Sequence, residues 1–238
     1  MKKLLIVKTG STYDSIKKNH GDFEDMIIAA SGITKEKFDV FDARDESLTF
    51  PLPDKYAGII ITGSHDMLTF NDDWMQDLKD WINTITDTDT PTLGICFGHQ
   101  AMAEAFGGVV DYRDWGPEVG FVKVKFEAEA YNDELFSILY DKCSVYQYHS
   151  QSVIEFPRGT TLLATNSIDP VQAIRYNSHM WSCQFHPEFN HEIVADYINQ
   201  NALHLTTEGL DPYELLMRLE ADQTGEKLLK QFIKICGL

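Results

Sequence analysis

The sequence predicts an α/β fold built on a doubly wound mixed sheet, mostly parallel, with antiparallel strands in its second half. Two observations carry this prediction. Up to Ile95, short continuous apolar runs alternate with segments of helical periodicity, the pattern of strands buried on both faces with helical crossovers between them. From Val109 onward, strand-like segments follow one another with only turn residues between, which suits antiparallel pairing.

Residues 4–7 are a run of four apolar side chains ending near Thr9 and Gly10, as a buried strand ends at its loop. Residues 22–30 predict a helix, with acidic residues near its start and Gly32 just past its end. Residues 38–41 predict a second strand. Residues 56–61 contain Gly58-Ile59-Ile60-Ile61, a strand that delivers Thr62, Gly63, Ser64 and His65 to its C-terminal edge. Trp74, Leu78, Trp81, Ile82 and Ile85 recur at three- and four-residue spacing, so one face of that helix meets a core. Pro91 closes the connection, and residues 92–95 begin another buried strand.

In the second half, Val119, Phe121, Val122, Val124 and Phe126 mark a strand-like segment. Residues 145–148, 161–164, 172–176 and 180–185 predict further short strands. Residues 191–200 return to helix, and residues 213–219 and 227–235 predict two more amphipathic helices. The expected organisation is one main α/β domain over residues 1–204 and a C-terminal helical extension over residues 205–238.

Composition narrows the function. A formal net charge of -17 without any Lys/Arg cluster argues against a nucleic-acid partner. No apolar run approaches bilayer length, and the N-terminal stretch is interrupted at Lys8, so it predicts a strand rather than a signal peptide or membrane anchor. Cys96, Cys143, Cys183 and Cys236 form no CxxC pair and are too scattered for a disulfide framework. Reduced thiols in a cytoplasmic protein are expected, with Cys143, Cys183 and Cys236 at or near the core. No metal is expected, because His186 and Glu188 have no third ligand at a usual spacing. Without a Gly-rich phosphate loop, no cofactor is expected either.

The chemistry centres on Gly94-Ile95-Cys96-Phe97-Gly98-His99-Gln100, between an apolar strand and a helix-like segment over residues 101–106. A free cysteine is ordinarily a small buried hydrophobe. Here, glycines two residues away on either side give the spacing of a nucleophile elbow, with cysteine in the place of serine. The turn is tight, so a side chain at Gly94 or Gly98 would collide with its neighbours. The helix N-terminus behind Cys96 favours the thiolate, and its amides can receive an oxyanion.

A thiolate nucleophile needs a base, and the base an orienting partner. Of the eight histidines, His186 stands out in Gln184-Phe185-His186-Pro187-Glu188, at the end of a buried strand. Pro187 biases His186 toward an extended conformation, in which residues two apart project the same way. Glu188 then reaches the imidazole, completing a Cys-His-Glu set.

With these two motifs and Ile61-Thr62-Gly63-Ser64, in this order and separation, the sequence resembles the class I glutamine amidotransferases over roughly residues 1–201. That family includes the glutaminase domains of GMP synthase and carbamoyl phosphate synthetase, and the chain resembles a stand-alone form of the former. The resemblance implies a flavodoxin-like class I glutamine amidotransferase fold. It implies that Cys96 forms a γ-glutamyl thioester, that His186 shuttles the proton, and that Glu188 orients His186. It places the oxyanion hole at the amides of Gly63 and Phe97, and substrate contacts at Gln100 and at Gly120 within Glu118-Val119-Gly120. Relatives often carry His-x-Asp where this chain has His149-Ser150-Gln151, so His149 is expected to be structural. Beyond the family-like region no acceptor motif occurs, so any ammonia acceptor is expected to be a separate synthase.

Two other readings share the sequence. A γ-glutamyl peptidase or hydrolase would use the same three side chains on a different leaving group. A catalytically silent regulatory subunit would need none of them, and intact Cys96, His186 and Glu188 argue against it.

Overall fold

The computed structural model describes residues 2–139 and 144–238, so the expectation for Cys143 lies outside the described residues. The apolar runs of the first half become β1 (Leu4–Lys8), β2 (Phe38–Asp42), β3 (Gly58–Ile61) and β4 (Thr92–Ile95). The second half supplies β5 (Val109–Tyr112), β6 (Glu118–Lys123), β7 (Lys125–Phe126), β8 (Ser144–His149), β9 (Gln151–Glu155), β10 (Thr161–Thr165), β11 (Ala173–Arg175) and β12 (Met180–Cys183). Eight of these strands form one sheet in the order β2-β1-β3-β4-β12-β11-β10-β7. The pairs from β2 through to β12 are parallel, and those from β12 through to β7 are antiparallel. Two small antiparallel sheets, β5-β9 and β6-β8, stand apart from it.

The helices are α1 (Asp14–His20), α2 (Phe23–Ser31), α3 (Asp73–Ile85), α4 (Phe97–Ala105), α5 (His191–Gln200), α6 (Ala202–Thr207), α7 (Pro212–Met217) and α8 (Thr224–Ile235). No helix of the described residues is long and apolar enough to cross a membrane. Strand periodicity divides the core. Leu4 and Ile6 of β1 join Ile60, Ile27 of α2 and Phe232 of α8 on one face. Leu5 and Val7 join Ile59, Ile61, Leu78 and Ile82 of α3 and Met102 of α4 on the other. Successive side chains of a strand point to opposite faces, so a run apolar at every position needs helices on both sides.

Local signals fix several boundaries. Asp22 caps α2 by accepting from Phe23 N, and Gly32 ends it in the left-handed region at φ 77°. The segment expected as one strand from Val119 to Phe126 divides at Val124, and β7 leaves to pair with β10. β12 stops at Cys183, short of the expected Phe185. Gln184 N still donates to Gln172 O in the β11–β12 register, but His186 N turns to Tyr146 O, each at 2.9 Å. The start of α8 reaches the same region. Gly225 packs so closely on Pro187 that a Cβ there would overlap the Pro187 backbone, and Tyr146 Oη donates to Glu220 O at 2.7 Å.

Candidate active site

Three adjacent parallel strands, β3, β4 and β12, end at the same edge of the sheet. The residues just beyond them are Gly63, Cys96 and His186, at the edge where doubly wound sheets place their ligands. Cys96 sits at φ 50°, ψ -101°, a conformation L residues rarely adopt. Surrounding backbone bonds enforce it: Cys96 N donates to Cys183 O at 2.9 Å, Gly98 N to Thr62 O at 3.1 Å and Gln100 N to Cys96 O at 3.1 Å. The flanking glycines are sterically required. A Cβ on Gly94 would lie 2.7 Å from Gly98 O, and one on Gly98 would lie 2.5 Å from Ile61 O. The chain turns from strand to helix with no linker, so α4 starts at Phe97 rather than at the expected Ala101.

His186 is 4 % exposed and stacked on Phe189, with ring centroids 4.0 Å apart. Its Nδ1 lies 2.8 Å from Glu188 Oε1, and Cys96 is near enough to act on the charge of its ring. The means of approach differs from the sequence expectation. Pro187 and Glu188 form a turn rather than an extended pair, closed by Phe189 N donating to His186 O at 3.3 Å. Burial alone pushes His186 below its ordinary value. The Glu188 carboxylate and Cys96 outweigh it and hold the imidazole up at about 10.

Gly63 lets these groups close on one another: a Cβ there would be 3.1 Å from His186 Cε1 and 3.6 Å from Cys96 Cβ. Neither the Gly63 nor the Phe97 amide is taken by a backbone acceptor among the described residues. Cys96 lines a cavity of ≈ 120 Å³ together with Tyr13, His65, Gln100, Tyr148 and Gln151. Gln100 thus reaches the cavity, but both contacts of its Nε2 are internal, to Gln151 O at 2.8 Å and Gln184 Oε1 at 3.1 Å. Gly120 does not line it. It lies in β6 at φ 106°, facing Leu215 of α7.

Two arrangements around the site are not given a role by the sequence. His65 packs 4.4 Å from the Tyr13 ring and hydrogen-bonds Tyr197 Oη at 3.2 Å, and Tyr197 Oη in turn bonds Thr12. Burial, with the His186 charge, lowers His65 to about 4, so it faces the cavity uncharged. Its place at the end of Ile61-Thr62-Gly63-Ser64 was the available signal. The second feature is a buried ionic group beside the cavity wall. His149 Nε2 meets Glu118 Oε2 at 2.9 Å, its Nδ1 meets Gln151 O at 2.9 Å, and Asp169 lies 3.8 Å away. Burial opposes the Glu118 charge, but His149, Arg113 and Asn166 hold its carboxyl below the usual range; burial raises Asp169. Ligand atoms of Glu118, His149 and Asp169 lie within 4.8 Å of one another, close enough to hold a metal ion. However, the Arg113 guanidinium, 3.8 Å from Glu118, already supplies a cation there.

Fold and site together define a doubly wound α/β protein in which a strained cysteine, a buried histidine and a carboxylate meet beyond the ends of adjacent parallel strands. The chain matches the family Glutamine amidotransferase class-I over residues 16–205 and belongs to it. It is 30 % identical to gamma-glutamyl peptidase 4 of Arabidopsis thaliana, covering 98 % of this chain and 96 % of that one. It is 34 % identical to the glutamine-hydrolyzing GMP synthase subunit of Archaeoglobus fulgidus over 51 % of this chain and 64 % of that one. A glutamine amidotransferase from Thermotoga maritima superimposes with a TM-score of 0.76 at 22 % identity, covering all of both chains. The fold is therefore that of the class I glutamine amidotransferases, as the sequence motifs implied.

Proposed function

We propose that the protein hydrolyses the side-chain amide of glutamine through a γ-glutamyl thioester on Cys96, releasing ammonia and glutamate. The observation that carries this reading is His186, buried beside Cys96 with its Nδ1 2.8 Å from Glu188 Oε1, a contact that favours the imidazolium. An imidazolium beside the thiol favours the thiolate, which attacks the amide carbon. The carbonyl oxygen takes up negative charge and is received by the amides of Gly63 and Phe97. His186 donates its proton to the departing nitrogen as the C–N bond breaks, giving ammonia. It then removes a proton from water, which attacks the thioester, frees glutamate and restores the Cys96 sulfur. Glu188 holds Nδ1 and stabilises the charge on the ring. Gln100 contributes from the cavity wall. A thiol used in this way must stay reduced, which is why a cytoplasmic location is proposed. A separate synthase is the proposed acceptor of the ammonia.

A second reading, cleavage of γ-glutamyl peptides by the same three side chains, is favoured by the match to gamma-glutamyl peptidase 4 along nearly the whole chain. One experiment separates the two. Purified protein is given glutamine or a panel of γ-glutamyl peptides, and glutamate and ammonia are measured against Cys96→Ser. Glutamine is expected to release both products, with a loss of ~10⁴-fold in the variant. Turnover of peptides but not glutamine would transfer the function to the second reading. Turnover of neither, with no labelling by a glutamine-like electrophile, would sink both.

A further inference from the structure

In the proposed hydrolysis His186 gives its proton to the departing nitrogen, so the surfaces next to His186 meet the leaving group. Those surfaces are aromatic. Phe189 stacks on His186 with ring centroids 4.0 Å apart, and Tyr197 stacks on Phe189 at 5.2 Å. Around Tyr197 stand the rings of Tyr148 at 5.2 Å, His65 at 5.8 Å and Tyr13 at 5.9 Å. Tyr13, His65 and Tyr148 are only half-buried, and all three line the cavity that Cys96 lines. The amide side chains of the cavity, Gln100 and Gln151, come from α4 and β9 instead. Asp66, also half-buried, adds a carboxylate to the lining, and among the described residues no lysine or arginine lines it. The cavity reaches the surface at His204, which is exposed.

We propose that the leaving-group side of this cavity takes an uncharged aryl group, so that its substrates include γ-glutamyl amides of arylalkylamines. This rests on the thioester chemistry proposed above and specifies what departs from it. The Cys96 sulfur bonds to the γ-carbonyl carbon and the C–N bond breaks. The nitrogen keeps the bonding pair, takes the His186 proton and leaves as the free arylalkylamine; water then releases glutamate. A departing ammonia uses none of the aromatic surface beside His186. A phenyl ring on the amine would cover it, packing edge or offset face against Tyr13 and Tyr148. A carboxylate on the same amine, as in a γ-glutamyl amino acid, would enter beside Asp66 with no cation to meet it. The lining therefore favours the ring and disfavours the negative charge.

Four compounds that would give the same thioester test the subsite: glutamine, γ-glutamyl-ethylamide, γ-glutamyl-phenethylamide and γ-glutamyl-phenylalanine. The two amides differ by the phenyl ring alone, and the last two compounds by the carboxylate alone. Measured as glutamate release, kcat/KM should be about tenfold or more higher for the phenethylamide than for the ethylamide. It should be about tenfold or more lower for the phenylalanine derivative than for the phenethylamide. Tyr13→Leu should bring the first ratio toward one. Tyr13→Phe, which keeps the ring and loses only the bond from Oη to Asn201 Oδ1, should preserve it. Asp66→Asn should narrow the second ratio, and its amide oxygen can still accept from Ser64 Oγ. Calorimetry on Cys96→Ser reads the same preferences as binding, without turnover. Tighter binding of the phenethylamide there, with no compound turned over by the unaltered protein, would sink the hydrolysis and leave the aryl subsite standing. Absence of the ring preference in both turnover and binding, a preference indifferent to Tyr13→Leu, or equal use of the phenylalanine derivative would overturn the proposal.

Discussion

His186 and His65 are buried within the same site, yet their protonation is driven in opposite directions. His186 is raised from 6.5 to about 10 in the fold, because Glu188 and Cys96 outweigh the effect of burial. Its stabilising contribution is therefore complete below about 6.5 and lost as pH rises through about 10. His65 is lowered to about 4, burial being the main cause, so its contribution is present above 6.5 and lost as pH falls toward 4. Thermal melts across pH should show Tm falling on both sides of a maximum near pH 6.5. In Cys96→Ala the alkaline fall should become shallower, since part of what raises His186 is removed. A Tm insensitive to pH between 6.5 and 10 would contradict this account. Glu118 makes a second test. Glu118→Gln leaves the buried Arg113 guanidinium, 3.8 Å from the lost carboxylate, without that counter-charge. It should cost about 3–5 kcal/mol in denaturant unfolding. At this scale, Cys96, His186 and Glu188 were legible because their motifs are local. The Glu118–His149–Asp169 group was not, because Glu118 and His149 meet through the pairing of β6 with β8 and Asp169 comes from the loop after β10.

The elements that carry these residues were visible wherever burial imposed a period. α3 shows its stripe from Trp74 to Ile85, and the parallel strands show continuous apolar runs. α1 was missed because Ile16 alone is buried in it, so no stripe exists to be seen. β5 and β9 were missed because they pair with each other across a long separation and mix exposed with buried positions. The Pro187–Glu188 turn shows a related limit, since a proline restricts the residue before it without fixing the hydrogen bond that closes the turn. The β4–α4 junction gives the prediction for this scale. Gly98→Ala sets a methyl group 2.5 Å from Ile61 O, a backbone atom with nowhere to retreat within the sheet. α4 must then shift off β3, at a cost of about 1–3 kcal/mol, and Cys96 moves with it. Stability to denaturant and kcat/KM should fall together; retention of full activity in a destabilised protein would show that the elbow tolerates the shift.

Across the whole molecule, the doubly wound arrangement does what no single element can. It seats β12 beside β4 although more than eighty residues of chain separate Cys96 from His186, and so brings the thiol to its histidine. The fold class was legible in the alternation of apolar runs and amphipathic segments, but the neighbour relation of β4 and β12 was not. Strand order is decided by packing between segments remote in sequence, and no local period records it. The same long-range packing involves the last helix described. Leu228, Leu229, Phe232 and Ile233 of α8 are buried in the cluster that also holds Leu4, Ile6 and Ile60. Phe232→Ala should therefore cost about 3–5 kcal/mol in chemical denaturation, as a cavity opened in the core does. A cost near zero would mean that α8 merely rests on the sheet.

The contact of Gly225 with Pro187 has a consequence for the order in which the molecule is made. The turn bearing Pro187 and Glu188 leaves the ribosome before the helix that presses against its back. Until α8 docks, that turn lacks its buttress, so the newborn chain passes through an interval in which Gly225 does not yet back Pro187. A bulkier residue at Gly225 would prolong that interval into the finished molecule.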